Sequence, residues 1–209
     1  MMGAEKSRLP KEYHEVEYLE STGTQYIDTG YIFTSYLQKA FIEIQITRTD
    51  ASPQRIMGAY DGANRSLLTT ITTVNGIYAQ FGTGLNYINV VTGVFDLNRH
   101  TLQIELNNNK GYLTIDGVQE SGVLPSPPSH TDTRVHLFHS NGNVQYLYAK
   151  IYSCKLFENE ILVRNFVPCY RKVDRIPGMY DLCGSICSLT NSPFYINAGT
   201  GEFIVGPKV

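Results

Sequence analysis

The stretch QKAFIEIQIT (38–47) alternates apolar and polar residues except at Phe41, setting Ala40, Ile42, Ile44 and Ile46 against Phe41, Glu43 and Gln45. Successive side chains of a strand point to opposite faces, so this period of two specifies a half-buried β-strand with an aliphatic inner side. A helix would scatter the same residues around its circumference. HTLQIELNNNKGYLTIDG (100–117) repeats the pattern on both sides of an Asn/Gly loop that tolerates positive φ, which is the signature of a hairpin. Leu102, Ile104, Leu106, Leu113 and Ile115 are its expected inward residues.

Shorter runs of the same kind are RIMGAY (55–60), SLLTTIT (66–72), GIYAQFG (76–82), NYINVV (86–91), RVHLFHS (134–140), QYLYAKIYSCKLF (145–157) and ILVRNFVPC (161–169). Gly, Asn, Asp or Glu-Asn-Glu turns separate many of them, and PSPPSH (125–130) marks a surface loop because proline removes donors and fixes φ. No long segment carries helical periodicity. The expected fold class is therefore all-β, an antiparallel two-sheet sandwich.

A chain of 209 residues suits one domain that buries roughly 70% of the surface its extended form exposes. Residues 1–10 read as a flexible N-terminal arm, 11–178 as the sandwich, and 179–209 as a C-terminal appendage packing back on the same domain. The net charge of −2, with 17 basic and 19 acidic residues in no long runs, gives no footprint for nucleic acid or for an anionic membrane. No run approaches the roughly 20 apolar residues of a membrane helix, and MMGAEKSRLP lacks the apolar centre of a signal peptide. Synthesis in the cytoplasm is the expectation, with the four cysteines as reduced thiols.

Five segments in order, YLESTGTQYIDTGY (18–31), HTLQIELNNNKGYLTIDGV (100–118), AKIYSCKLFENEILVRNFVPC (149–169), GMYDL (178–182) and FYINAGTGEF (194–203), carry a resemblance. The chain resembles the concanavalin A-like, laminin-G-like jelly-roll modules found in phage and prophage tail or surface proteins of gut bacteria. That resemblance implies one convex and one concave sheet, and a non-enzymatic binding or attachment role toward a cell-surface glycan or protein. It also implies a virion or extracellular location beside other virion subunits. A homo-oligomer, such as the trimer of a tail appendage, is compatible with it.

Three sets of residues are candidate sites. Glu15, Glu17 and Glu20 form E-x-E-x-x-E, and same-face carboxylates could serve a retaining glycosidase. Laminarinase-type hydrolases, which share this fold, carry E-x-D-x-x-E mid-chain beside tryptophans, whereas here Glu17 stands in place of Asp, the segment is N-terminal and the chain has no Trp. Charges that blunt a strand edge are the favoured reading, and a glycoside hydrolase using Glu15 and Glu17 is the rival. Tyr60, Tyr78, Phe81 and Tyr87 are the candidate ligand-binding platform, because tyrosine offers a ring face and a hydroxyl to a sugar. Their competing role is to fill the sheet interface or a contact between copies in a purely structural virion protein.

Asp61, Asn64, Asn141 and Asn143 are candidate calcium ligands on two loops, though Asp-Gly and Asn-Gly pairs ordinarily make turns. No other cofactor is indicated. Cys183 and Cys187, spaced C-x3-C, are a weak zinc signal, and His136 and His139 have opposite strand parity, which argues against a ligand pair.

Overall fold

A computed structural model of the chain describes residues 8–49, 53–71, 76–83, 90–92, 96–128, 131–140 and 145–209. The alternating segments become strands, and the described residues contain no helix. In chain order these are β1 (Tyr13–Glu15), β2 (Leu19–Thr22), β3 (Ile27–Asp28), β4 (Leu37–Ile46), β5 (Gln54–Tyr60) and β6 (Asn64–Ile71). Next come β7 (Ile77–Thr83), β8 (Val90–Thr92), β9 (Arg99–Asn107), β10 (Lys110–Ile115), β11 (Val118–Val123) and β12 (His136–Leu137). The last five are β13 (Tyr148–Glu158), β14 (Ile161–Arg171), β15 (Pro177–Asp181), β16 (Phe194–Ile196) and β17 (Ile204–Val205).

Two antiparallel sheets result. The large one runs β11-β10-β9-β4-β13-β14-β15-β16, with β1 beside β14, β2 beside β13 and β17 beside β2. The small one runs β3-β12-β5-β6-β7-β8. The tail supplies β15, β16 and β17, so it completes the large sheet through backbone pairing.

Parity accounts for the core. Ala40, Ile42, Ile44 and Ile46 of β4, Leu102, Ile104 and Leu106 of β9, and Leu113 and Ile115 of β10 are all buried. Their partners Ala149, Ile151, Cys154 and Leu156 on β13 extend the layer, and Ile56, Met57, Ala59, Ile71, Ile77, Ala79 and Phe81 meet it from the small sheet. Each Leu, Ile, Met or Phe side chain among them contributes about 1.5–3 kcal/mol by leaving water.

Turns follow backbone chemistry. Asp116 (φ 48) and Gly117 (φ 86) join β10 to β11 as a two-residue loop with both φ positive, the arrangement whose twist matches a hairpin. Asn159 (φ 52) and Glu160 (φ 62) do the same between β13 and β14. Glu158, just before that turn, accepts hydrogen bonds from the Tyr31 hydroxyl at 2.5 Å and from the Ser35 N–H at 2.6 Å. One carboxylate thereby fastens the 31–35 segment to the end of the large sheet.

Candidate functional site

The outer side of the small sheet carries two rows of polar side chains. In the first, Arg55 of β5 stands opposite Thr70 of β6, which stands opposite Tyr78 of β7. In the second, Tyr60 is opposite Arg65, which is opposite Gly82. Arg55 and Tyr60 lie five positions apart, as do Thr70 and Arg65, an odd spacing that would place the rows on opposite faces of regular strands. Irregularities intervene on both strands. The register slips between Arg55 and Met57, between Met57 and Ala59, and between Arg65 and Leu68.

Each of β5 and β6 thus holds one residue more than a regular ladder would, which restores the parity. On β7 the matching residues Tyr78 and Gly82 are four apart and need no correction. Gly58 (φ 137) and Leu67 (φ 48) occupy the irregular segment, and an added Cβ at Gly58 would stand 2.6 Å from the Leu68 Cα. Glycine is required there by both conformation and space.

The two rows converge. Arg65 lies over the Tyr60 ring with its guanidinium carbon 4.8 Å from the centroid. Arg55 donates from Nη1 to the Thr70 hydroxyl, hydrogen-bonds the Tyr78 hydroxyl, and has Arg65 and Tyr60 as its further charged or titratable neighbours. Burial pulls the Arg55 guanidinium below its ordinary pKa; Tyr78 opposes that shift and Arg65 adds to it. Gly82 (φ 89), opposite Arg65, leaves that end of the row without a side chain.

Of the expected platform, Tyr60 and Tyr78 are partly exposed on this one face. Phe81 is not on it: the ring is fully buried in the core, because three positions from Tyr78 on a regular strand reverses the side. Tyr87 lies outside the described residues. Arg55 and Arg65 were missing from the sequence-based set, yet a hairpin closed at 61–63 makes Tyr60 and Arg65 neighbours and could have suggested one of them.

The expected calcium ligands behave as a turn. Asp61 accepts the Ala63 N–H at 2.9 Å and the Asn64 N–H at 2.6 Å, while the Asn64 side-chain amide donates to its other oxygen at 2.8 Å. Burial would raise the Asp61 carboxyl, but these hydrogen bonds outweigh it and hold the group below the usual carboxylate range. A cation there would have to displace them. Asn141 and Asn143 lie outside the described residues, and no cluster of three or more His, Cys, Asp or Glu side chains suited to a metal occurs among the described ones.

Opposite strand parity does not keep His136 and His139 apart. β12 ends at Leu137, and Phe138 adopts φ 65, which breaks the strand parity and swings His139 back beside His136. Their Nδ1 atoms are 3.4 Å apart and their ring centroids 5.7 Å apart; Tyr26 packs against both, at 4.7 Å from His136 and 5.1 Å from His139, and Tyr146 lies 4.6 Å from His139. The pair occupies the β3 end of the small sheet, where His136 pairs with Asp28 and with Gly58.

The glutamates have different partners and positions. Glu15 is paired with Arg8, Glu17 with Arg99 at 3.4 Å, and Glu20 belongs to a different strand, β2. A separate groove of about 370 Å³ lies on the outer side of the large sheet, with the edge-to-face pair Phe41 and Phe157 flanked by Glu43 and Lys155.

No protein-family model matches the chain, and no curated protein sequence matches it significantly. Solved structures do. A candidate carbohydrate-binding protein from Bacteroides ovatus ATCC 8483 superposes with a TM-score of 0.58 at 9% identity, over 93% of this chain and 60% of that one. The CBM40 of the Ruminococcus gnavus IT-sialidase gives 0.52 at 15% identity, over 75% and 94% respectively. Domains LG4-5 of the mouse laminin α1 chain give 0.51 at 13%, over 71% and 44%. This chain therefore spans less than two thirds of the laminin and Bacteroides chains. At these identities the likeness shows the fold: a laminin-G-like jelly-roll sandwich, as the sequence resemblance implied.

Proposed function

We propose that the chain is a non-catalytic glycan-binding module and that the outer side of its small sheet is the binding face. The observation that carries this reading is the convergence of Tyr60, Arg65, Arg55 and Tyr78 on one face through compensating irregularities in β5 and β6. Partly exposed rings stack on the apolar side of a pyranose, while hydroxyl and guanidinium donors reach its oxygens. The Bacteroides and Ruminococcus neighbours, whose descriptions name carbohydrate binding and a sialidase module, support it. So does the engagement of Glu15 and Glu17, the pair a retaining hydrolase would use, with Arg8 and Arg99 instead.

An attachment role on a phage-like tail or surface structure, with other virion subunits and further copies of this chain as partners, belongs to the same proposal and rests on the sequence resemblance. Light scattering tests the oligomer, and a monomer at working concentration would count against it.

A glycan array followed by titration tests the face. Wild type retains a ligand, Tyr60→Ala with Tyr78→Ala loses it, and Phe41→Ala on the opposite sheet keeps it. An array on which wild type retains nothing, or a double variant that binds as wild type does, overturns the proposal.

A further inference from the structure

The arginines of this chain are not treated alike. Arg8, Arg99, Arg134, Arg164 and Arg171 each stand beside a carboxylate, of Glu15, of Glu17 and Glu43, of Asp28, of Asp181 and of Asp174 respectively. Arg55 makes no ion pair with any described residue, although its guanidinium is more deeply withdrawn from water than that of an ordinary surface arginine. Its Nε is buried without a hydrogen-bond partner among the described residues. The groups around it are the hydroxyls of Thr70 and Tyr78, the Tyr60 phenol and a second cation, Arg65. Asp61, six positions further along the chain, is turned into its own loop by Ala63 and Asn64.

Withdrawing a cation from water without an anion is costly, and a neighbouring cation adds to that cost. A charge so placed on the surface of a sheet is electrostatically incomplete until something anionic arrives. We infer that Arg55 is the seat for the carboxylate of an acidic sugar, and that the face selects such a sugar over its neutral counterpart. The inference rests on the glycan-face reading and adds the class of ligand to it. A planar guanidinium matches a planar carboxylate with two parallel donors, and the Tyr78 hydroxyl beside it supplies another donor. Tyr60, held under Arg65, offers its ring to the apolar side of the same or the next sugar.

The test is calorimetric titration of the full chain at fixed ionic strength with 3′-sialyllactose, a glucuronic acid disaccharide, lactose and sulfated lactose. At least one carboxylate sugar is expected to bind about tenfold or more tighter than lactose, the increment of a charge-assisted hydrogen bond. Raising the salt should shrink that advantage. Arg55→Gln should abolish it, and Arg55→Lys, which keeps the charge but not the fork, should restore only part. Thermal melts establish that each variant is folded, and Arg65→Gln serves as the second charge-removing variant if Arg55→Gln is not.

Equal affinity for lactose, preference for the sulfated sugar alone, or an acid preference that survives Arg55→Gln would overturn the inference. If Tyr60→Ala and Tyr78→Ala still weaken binding in those cases, the glycan face stands without it. Binding indifferent to both tyrosines, or no binding to any of the sugars, removes the face and the inference together.

Discussion

His136 and His139 sit ring against ring with their Nδ1 atoms 3.4 Å apart, at the end of the small sheet where Tyr26 packs against both and Tyr146 against His139. Burial lowers the His136 pKa from 6.5 to about 4, the Asp28 carboxylate opposes that shift, and His139 and Arg134 reinforce it. The unfolded chain therefore binds a proton at His136 more readily than the folded one. Stability is complete above about pH 6.5 and declines as the pH falls toward 4, by about 3 kcal/mol for the full span. Urea melts at pH 7.5, 6, 5 and 4 should show the decline, and an NMR titration should place the His136 midpoint well below that of a free imidazole. A midpoint near 6.5 would refute this account.

That pair also marks the limit of what alternation reveals. The inward residues of β4, β9 and β10 were legible because a regular strand has one period, and Ala40 to Ile46, Leu102 to Leu106 and Leu113 to Ile115 obey it. Phe81 failed as a platform residue under the same rule, being three positions from Tyr78. The histidines and the Arg55/Tyr60 alignment escaped because each depends on a parity break, at Phe138 in one case and around Gly58 and Leu67 in the other. Such breaks arise from contacts between strands distant in the chain. Arg55 had a further disguise, since a lone cation in RIMGAY gives no hint that it makes no ion pair among the described residues.

Asp181 is wholly buried at the junction of β15 and β14, accepting the Asn165 N–H at 2.8 Å and the Cys183 N–H at 3.0 Å. Its other oxygen lies 3.7 Å from Arg164 Nε, and Arg164 in turn donates to the Thr29 carbonyl and the Ser185 hydroxyl. Asp181→Ala would take their acceptor from two N–H groups and leave a guanidinium without its anion. The expected cost is about 3–5 kcal/mol in the free energy of unfolding, with Asp181→Asn milder because its carbonyl still accepts. A denaturation midpoint unmoved by Asp181→Ala would show that water replaces the carboxylate.

The thiols divide by burial. Cys154, Cys169 and Cys187 are buried and Cys183 is exposed, all without disulfides. Burial, with Asp181 beside it, raises the Cys183 thiol, so even this group reacts slowly near neutral pH. Native protein treated with a thiol reagent at pH 9 should therefore modify Cys183 first, and Cys183→Ser should remove the fast phase. The other three should react only on unfolding. Rapid modification of Cys187 would place its loop outside the core.

Gly58 connects stability to the binding face. It lies opposite His136 on β12 and within the irregular segment that brings Arg55 and Tyr60 to the same side. With φ at 137, and with Leu68 backbone where a Cβ would go, alanine cannot be accepted without moving β5 from β6. Gly58→Ala should lower the free energy of unfolding by about 2 kcal/mol or more, from backbone strain and the forced displacement together. Because the displacement acts on the register that aligns the two rows, the folded fraction of the variant should also bind glycan more weakly than wild type. Calorimetry corrected for that fraction checks the second effect. A destabilised variant with unchanged affinity would mean that the alignment of Arg55 with Tyr60 does not depend on the turn of backbone at Gly58.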